Sequence, residues 1–389
     1  MNKLYTAPAV LNNPTQTGNK LQRYLSLDVM RGLTIALMIV VNTPGSWESV
    51  YAPLRHAQWH GFTVTDLVFP TFLFVVGNAL SFSMRKFEGQ NSKFLKKVFK
   101  RTALIFLIGL FLNAFPFVTR VNGELTLIDF SSIRLFGVLQ RIALCYGVAA
   151  LVIHYFQARG ALIFSVLALF GYWAIMYFFG NQPDPYTLAG NAALKLDSWL
   201  LSEKNLYKGY GIPFDPEGLL STLPAVVNVI AGYFAGRFIQ LSGNNKNTLM
   251  RLAMAGVILT TIGLVWNIFF PINKPIWTSS YVVYTVGLDL LILATIMLLI
   301  EVAHFRSWTH FFEAFGKNPL FIYALSGALI ETLGLIRVDG KSLNGWLYQN
   351  LYASWLTGEN ASLLFAISYM LLLWVVAYLL DKKKIYLKI

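Results

Sequence analysis

Charge is scarce in this chain. Of its 389 residues only 13% are Asp, Glu, Lys or Arg, where soluble domains carry roughly 25%. Cysteine is almost absent: Cys145 stands alone inside an apolar run, which excludes a disulfide framework and a thiolate metal site. Histidines number five and acidic residues 18, against 31 Lys and Arg. A net charge of +13 would suggest a nucleic-acid partner in a soluble protein. Here the basic residues sort into loops, and no nucleic-acid partner is expected.

What is abundant is apolar sequence, at 56% of the chain. Runs of about 20 apolar residues recur from end to end, each long enough to cross the ~30 Å hydrocarbon core of a bilayer. So many runs cannot all hide inside one soluble core. The fold class expected is an all-α polytopic membrane protein of about ten transmembrane helices, at roughly 27–47, 62–84, 98–118, 133–156, 161–180, 218–240, 249–271, 279–301, 317–336 and 361–380. Residues 1–22 are polar, without the apolar core of a signal peptide, and read as a flexible tail before a single domain over 23–389. An even number of spans leaves both termini on one side. With both in the cytoplasm, the inner segments carry more than twice as many Lys and Arg as the outer ones, in line with the positive-inside rule. The same distribution accounts for the basic pI and predicts attraction to anionic membrane lipid.

That orientation puts the longest loop, 181–217, outside. It carries Asp184, Asp197, Glu203, Asp215 and Glu217 with Tyr186, Trp199, Tyr207 and Tyr210. Carboxylates and aromatic faces suit an amino sugar; an ordinary wet loop is the alternative. Asp215 and Pro216 of "DPEG" are placed to cap span six.

Polar residues at membrane depth are costly and usually functional. Asp28 and Arg31 are spaced to pair on one helix face. Asn42 ends span one. Asp66 sits four residues before Pro70, which frees the carbonyl of Asp66 itself from the helix ladder. Arg141 lies about two turns into span four and needs a cavity, a carboxylate or a phosphate; Asp289 in span eight is a candidate partner. His154, His304 and His310 fall near the cytoplasmic boundary. His56 and His60 are four apart, a spacing that could hold a metal, but no third ligand is evident and no metal is expected. What remains is acid–base work: a neutral imidazole taking a proton from an attacking amine or hydroxyl, with an Asn amide on the acyl oxygen, or a histidine that accepts the acyl group itself.

"LSLDVMRGLTIALMIVVN" followed by "HAQWHGFTVTDLVFPTFLFVVG", then "GVLQR", "FDPEGLLSTL" and "PINKPIWTSSYV", resembles the transmembrane heparan-α-glucosaminide N-acetyltransferase family. The motifs run in the family's order from Leu25 to about residue 330. The resemblance implies transfer of acetyl from cytoplasmic acetyl-CoA to the amino group of a glucosamine-type acceptor on the far side. The family's catalytic histidine matches His56 and its functional Asn matches Asn42; His60 falls where the animal enzyme has Asn, so no catalytic role is carried onto it. A large lumenal domain precedes the spans in the animal protein. Without it, this sequence looks like the bacterial branch, a multi-pass protein of the inner membrane for which a homodimer stays open. The expected roles are His56 as general base, Asn42 on the acetyl oxygen, Asp66 orienting His56 or the acceptor, and Arg31 and Arg141 as contacts for CoA phosphates or structural counter-ions. Two rivals remain at this stage: an amino-sugar transporter or channel, and an O-acyltransferase acting on a surface glycan.

Overall fold

The computed structural model describes residues 24–387 apart from Arg85, Lys86 and Glu88. The 1–22 tail and the basic residues Lys3, Lys20, Arg23, Arg85, Lys86 and Lys388 lie outside the described residues.

The described residues are mostly helical. Its helices are α1 (Leu25–Asn42), α2 (Val64–Met84), α3 (Asn91–Ala114), α4 (Val138–Phe179), α5 (Ala192–Leu200), α6 (Leu219–Ser242), α7 (Lys246–Trp266), α8 (Ser279–Met297), α9 (Thr309–Lys317), α10 (Pro319–Leu335), α11 (Leu343–Leu347) and α12 (Gly358–Lys382). Seven of them, α1, α2, α4, α6, α7, α8 and α12, are long and apolar enough to cross a membrane, and α9 with α10 makes an eighth if that pair, bent by 83°, is one span. This is an all-α membrane protein.

The count differs from the ten expected spans at three places. The expected spans at 133–156 and 161–180 run together as α4, across a break where Gln157 takes φ 56° and ψ −170°. The expected span at 317–336 begins with a sharp corner at Asn318, because Pro319 disfavours helical backbone in the residue before it. The expected span at 98–118 is the second half of α3, whose first half carries Lys93, Lys96, Lys97, Lys100 and Arg101 and dilutes its apolar character.

Helices α1, α2, α4, α6 and α8 bury most of the core; α2 packs along α6, and α7 along α8. The α2–α6 contact is close because both surfaces carry glycine. A Cβ on Gly77 would lie 1.9 Å from the Val229 carbonyl oxygen, and one on Gly232 would lie 1.8 Å from that of Phe74. Small residues of this kind let membrane helices approach backbone to backbone.

Two short hairpins sit at the end of the bundle that carries the 181–217 segment. Val118–Val121 pairs antiparallel with Glu124–Leu127, and Arg337–Val338 with Lys341–Ser342. Their turns are Asn122–Gly123 and Asp339–Gly340, all at positive φ, the dipeptides that tight hairpins select.

Candidate active site

His56 lies on the irregular segment between α1 and α2. Arg55 secures that segment, donating Nε to the Val50 carbonyl (2.7 Å) and Nη2 to the Glu48 carbonyl (3.0 Å). The first turn of α2 then fixes the histidine. Thr63 precedes the helix and Asp66 is its third residue, and the Asp66 carboxylate reaches back to accept the Thr63 N–H at 3.0 Å. That is half of a capping box. Asp66 Oδ2 also accepts the Ala57 N–H at 3.1 Å, and Oδ1 accepts Nδ1–H of His56 at 2.6 Å. The Asp66 side chain is 1% exposed and the His56 ring 44% exposed. A buried, acceptor-only carboxylate on Nδ1 fixes the tautomer and leaves Nε2 with the lone pair. The carbonyl that Pro70 frees is also taken up: the Tyr281 hydroxyl donates to Asp66 O at 2.6 Å.

Lys274 meets this pair from the loop after α7. Its Nζ lies 3.1 Å from His56 Nε2 and 3.2 Å from Nδ1, across the imidazole ring. The loop is rigidly made. Asn273 is fully buried, its Oδ1 accepts the Ile276 N–H (3.0 Å), and its N–H meets Thr278 Oγ1 (3.1 Å). Trp277, at φ 49°, donates its indole N–H to Asn228 at 3.1 Å. His60 serves the same scaffold. Its Nδ1 accepts from Asn273 Nδ2 at 3.3 Å, and burial, partly offset by Asp184, holds it below the usual histidine range.

These groups open on a cavity of about 260 Å³ lined by Asn42, His56, Lys274, Glu217, Tyr210 and Tyr323 among others. Asn42 ends α1 and is exposed on the cavity wall. The opposite wall comes from the segment before α6. Arg134 holds Asp215 with Nε (2.8 Å) and Nη2 (2.6 Å), donates to Glu217 as well, and lies over the Tyr207 ring at 4.7 Å. Burial pushes the Glu217 carboxyl up, but the charges of Arg134, Arg141 and Lys274 outweigh it and keep the group ionised. Asp215 is spent on Arg134 and does not cap α6. That cap comes from Asp197 of α5, whose Oδ1 accepts the Leu219 N–H at 3.0 Å.

Below this cavity, along the same helices, lies a second and smaller one of about 70 Å³, lined by Arg31, Phe72, Ala79, Arg101, Ile142 and Leu320 among others. The upper cavity uses Phe69, Val138 and Tyr323 of α2, α4 and α10; the lower one uses Phe72, Ile142 and Leu320, one turn further along each. Arg31 reaches Asp28 (3.2 Å) and the Gly316 carbonyl (3.2 Å). Arg101 stacks over Tyr146 at 4.8 Å with its buried Nε unpartnered.

Arg141 lines neither cavity. It is fully buried, donates to Gly218 O (3.1 Å) and to Ser221 Oγ, and stands over the Trp277 ring at 4.9 Å. The expected Arg141–Asp289 pair does not form, because Asp289 accepts instead from Thr71 Oγ1 at 2.6 Å.

The family model described as "Heparan-alpha-glucosaminide N-acetyltransferase, catalytic" matches residues 23–275, well over half of the chain. The chain belongs to this family. Asn42, His56, Asp66, Glu217 and Lys274 all fall inside the matched region, while Tyr281 and Tyr323 lie beyond it. The human heparan-alpha-glucosaminide N-acetyltransferase is 28% identical, over 94% of this chain and 60% of its own length; the mouse protein is 26% identical, over 97% and 62%. The chain thus spans about 60% of the length of these curated relatives.

Lys274 and Tyr323 were not expected at the site; Glu217 was expected only as one of several outer-loop carboxylates suited to an amino sugar. For Lys274 the sequence held one signal, a lysine between two prolines and beside an asparagine in "PINKPIW". That marks a built loop without revealing what it faces.

Proposed function

We propose that this chain is a membrane-embedded N-acetyltransferase that takes acetyl from cytoplasmic acetyl-CoA and gives it to the amino group of a glucosamine-type sugar on the far side of a bacterial inner membrane. The observation that carries the reading is the His56–Asp66 pair, with Nε2 left basic, at the wall of a cavity shared with Asn42. Nε2 takes the proton from the attacking amine, Asp66 stabilises the imidazolium, and the Asn42 amide holds the acetyl oxygen. On collapse of the tetrahedral intermediate the proton passes to the CoA sulfur. Glu217, ionised and facing the same cavity, offers a counter-charge to the sugar ammonium, which releases one proton to water before the free amine attacks and gives its second to His56.

The stacked cavities support a donor route. CoA phosphates would meet Arg31 and Arg101 at one end, and the pantetheine arm would thread past α2, α4 and α10 to His56. Arg141 takes the structural alternative in this reading: its Nη2 holds the entry to α6 through Gly218 and Ser221, and it lines neither cavity, although its buried Nε and Nη1 have no hydrogen-bond partner among the described residues. Ten crossings follow if α3 spans, α4 is two spans broken at Gln157, and α9 with α10 is one. Both termini then face the cytoplasm and the 181–217 segment faces out.

The test is turnover in detergent with radiolabelled acetyl-CoA and glucosamine, for the parent and for His56→Ala. The parent is expected to form N-acetylglucosamine, and the variant to lose activity about 10²–10⁴-fold while still binding CoA. No turnover and no CoA binding across a panel of amino sugars would sink the reading.

A further inference from the structure

The mechanism above leaves a cation in the reacting cavity without a task. Lys274 Nζ touches the ring of the base itself, 3.1 Å from the nitrogen that must accept the amine's proton. At 3.1 Å from Nε2 and 3.2 Å from Nδ1, the ammonium lies across the imidazole ring rather than on the in-plane lone pair of Nε2, so it sits beside the base without occupying the proton's place. The lysine stem is flexible, and its head borders the same cavity as Asn42 and Glu217. The loop beneath it is fixed by Asn273 and Trp277, so the movement open to the group is rotation of the side chain into the cavity.

Resting on the acetyltransferase reading, we propose that Lys274 is a catalytic residue: from its place beside the His56 ring its ammonium turns to the thioester oxygen and stabilises the negative charge that develops there. The amine nitrogen forms a bond to the carbonyl carbon as the C=O electron pair moves to oxygen. The amine proton passes to His56 Nε2. When the C–S bond breaks, the oxygen pair re-forms the carbonyl, and the sulfur takes the proton from His56 as CoA–SH. Lys274 keeps its own proton throughout. Asn42 and Lys274 together form a two-donor site, in which a full charge placed on the oxygen does more than an amide alone.

The charged and titratable groups around Lys274 are His56 and Asp66 at the entry to α2, Glu217 and Arg134, the phenols of Tyr207, Tyr210 and Tyr323, and, acting through its charge from outside the cavity, Arg141 of α4. Burial pushes Lys274 below its usual range; Asp66 and Glu217 hold part of that back, and Arg141 adds to the drop. The rate should therefore fall at alkaline pH as Lys274 loses its proton.

The experiment measures kcat from pH 6 to 10.5 with labelled acetyl-CoA and glucosamine, for the parent, Lys274→Met and Lys274→Arg, together with CoA affinity. The proposal expects Lys274→Met to lose about 10²–10³-fold in kcat with CoA affinity within about threefold. It expects Lys274→Arg to retain activity and to lose the alkaline fall, because guanidinium stays protonated. A parent that turns over while Lys274→Met keeps kcat within about threefold would overturn this role alone. So would a Lys274→Arg variant with the parent's alkaline limb, and that arm decides the matter if Lys274→Met fails to fold. A parent that acetylates no amine would overturn the acetyltransferase reading and this role together.

Discussion

Asp66 holds Nδ1 of His56, and in the proposed mechanism it thereby settles which nitrogen is basic, one step from the reacting atoms. Its carboxylate has no proton to give, and Nδ1 must therefore keep one. Asp66→Asn is nearly isosteric but can turn an N–H₂ toward Nδ1, moving the ring proton to Nε2, where it blocks proton transfer. The expected result is a loss of about 10²–10⁴-fold in kcat with KM for acetyl-CoA within about threefold, measured by steady-state kinetics. A fall in KM affinity with kcat intact would instead make Asp66 a binding residue. At this scale much of the site was legible. Asn42, His56 and Asp66 lie within 25 residues of one another, and Pro70 gave away the freed Asp66 carbonyl that Tyr281 takes up. Lys274 was not legible because it is 218 positions from His56, and nothing local says which loop a fold will lay on a histidine. Asp289 was misjudged for a related reason: a buried acid needs a partner, but a threonine 218 positions away supplies it.

Among the elements, the α2–α6 contact and the entry to α6 position the two walls of the cavity. Gly232→Val would drive a side chain into the Phe74 carbonyl. Overpacking of this kind costs about 1–3 kcal/mol, and because α2 carries Asp66 it should also lower kcat. Thermal unfolding in detergent and turnover, measured on the same sample, check both effects. The cap on α6 gives a pH signature. Burial pushes the Asp197 carboxyl up to about 7 from an ordinary value of 3.8. The folded state thus binds the proton more tightly than the unfolded one, so this group's contribution to stability is fully present below pH 3.8 and is lost as pH rises towards 7. Asp197→Asn keeps an acceptor for the Leu219 N–H and removes the titration. Melting temperatures from pH 4 to 8 should slope downward less steeply in the variant than in the parent; identical slopes would refute the assignment. Asp215 looked like this cap because it lies three residues before Gly218 in sequence. The guanidinium of Arg134 has the stronger claim on it, and that competition is tertiary. The hairpin turns Asn122–Gly123 and Asp339–Gly340 were written in the sequence and went unread, since apolar periodicity dominates a chain this hydrophobic.

For the molecule as a whole, the telling feature is that two cavities follow the same helices, with cations at the lower end and an acid–base pair at the upper. Hydropathy made the helical membrane architecture plain, because about 20 apolar residues can do little else. It parted the two expected spans at 157–160, where α4 breaks at Gln157, but it did not foresee the corner at Asn318–Pro319, which depends on backbone geometry rather than composition. The stacked cavities were beyond reach for the same reason: they exist only once α1, α2, α4 and α10 are packed together. They lead to the account's central claim, that an acetyl group crosses the membrane while neither the CoA nor the sugar does. The most direct measurement uses proteoliposomes of uniform orientation with glucosamine sealed inside and radiolabelled acetyl-CoA added only at the face bearing Arg31 and Arg101. The account predicts labelled N-acetylglucosamine in the lumen, none with His56→Ala, and none when acetyl-CoA is supplied only at the opposite face. Labelled product formed only when donor and acceptor share one compartment would contradict it.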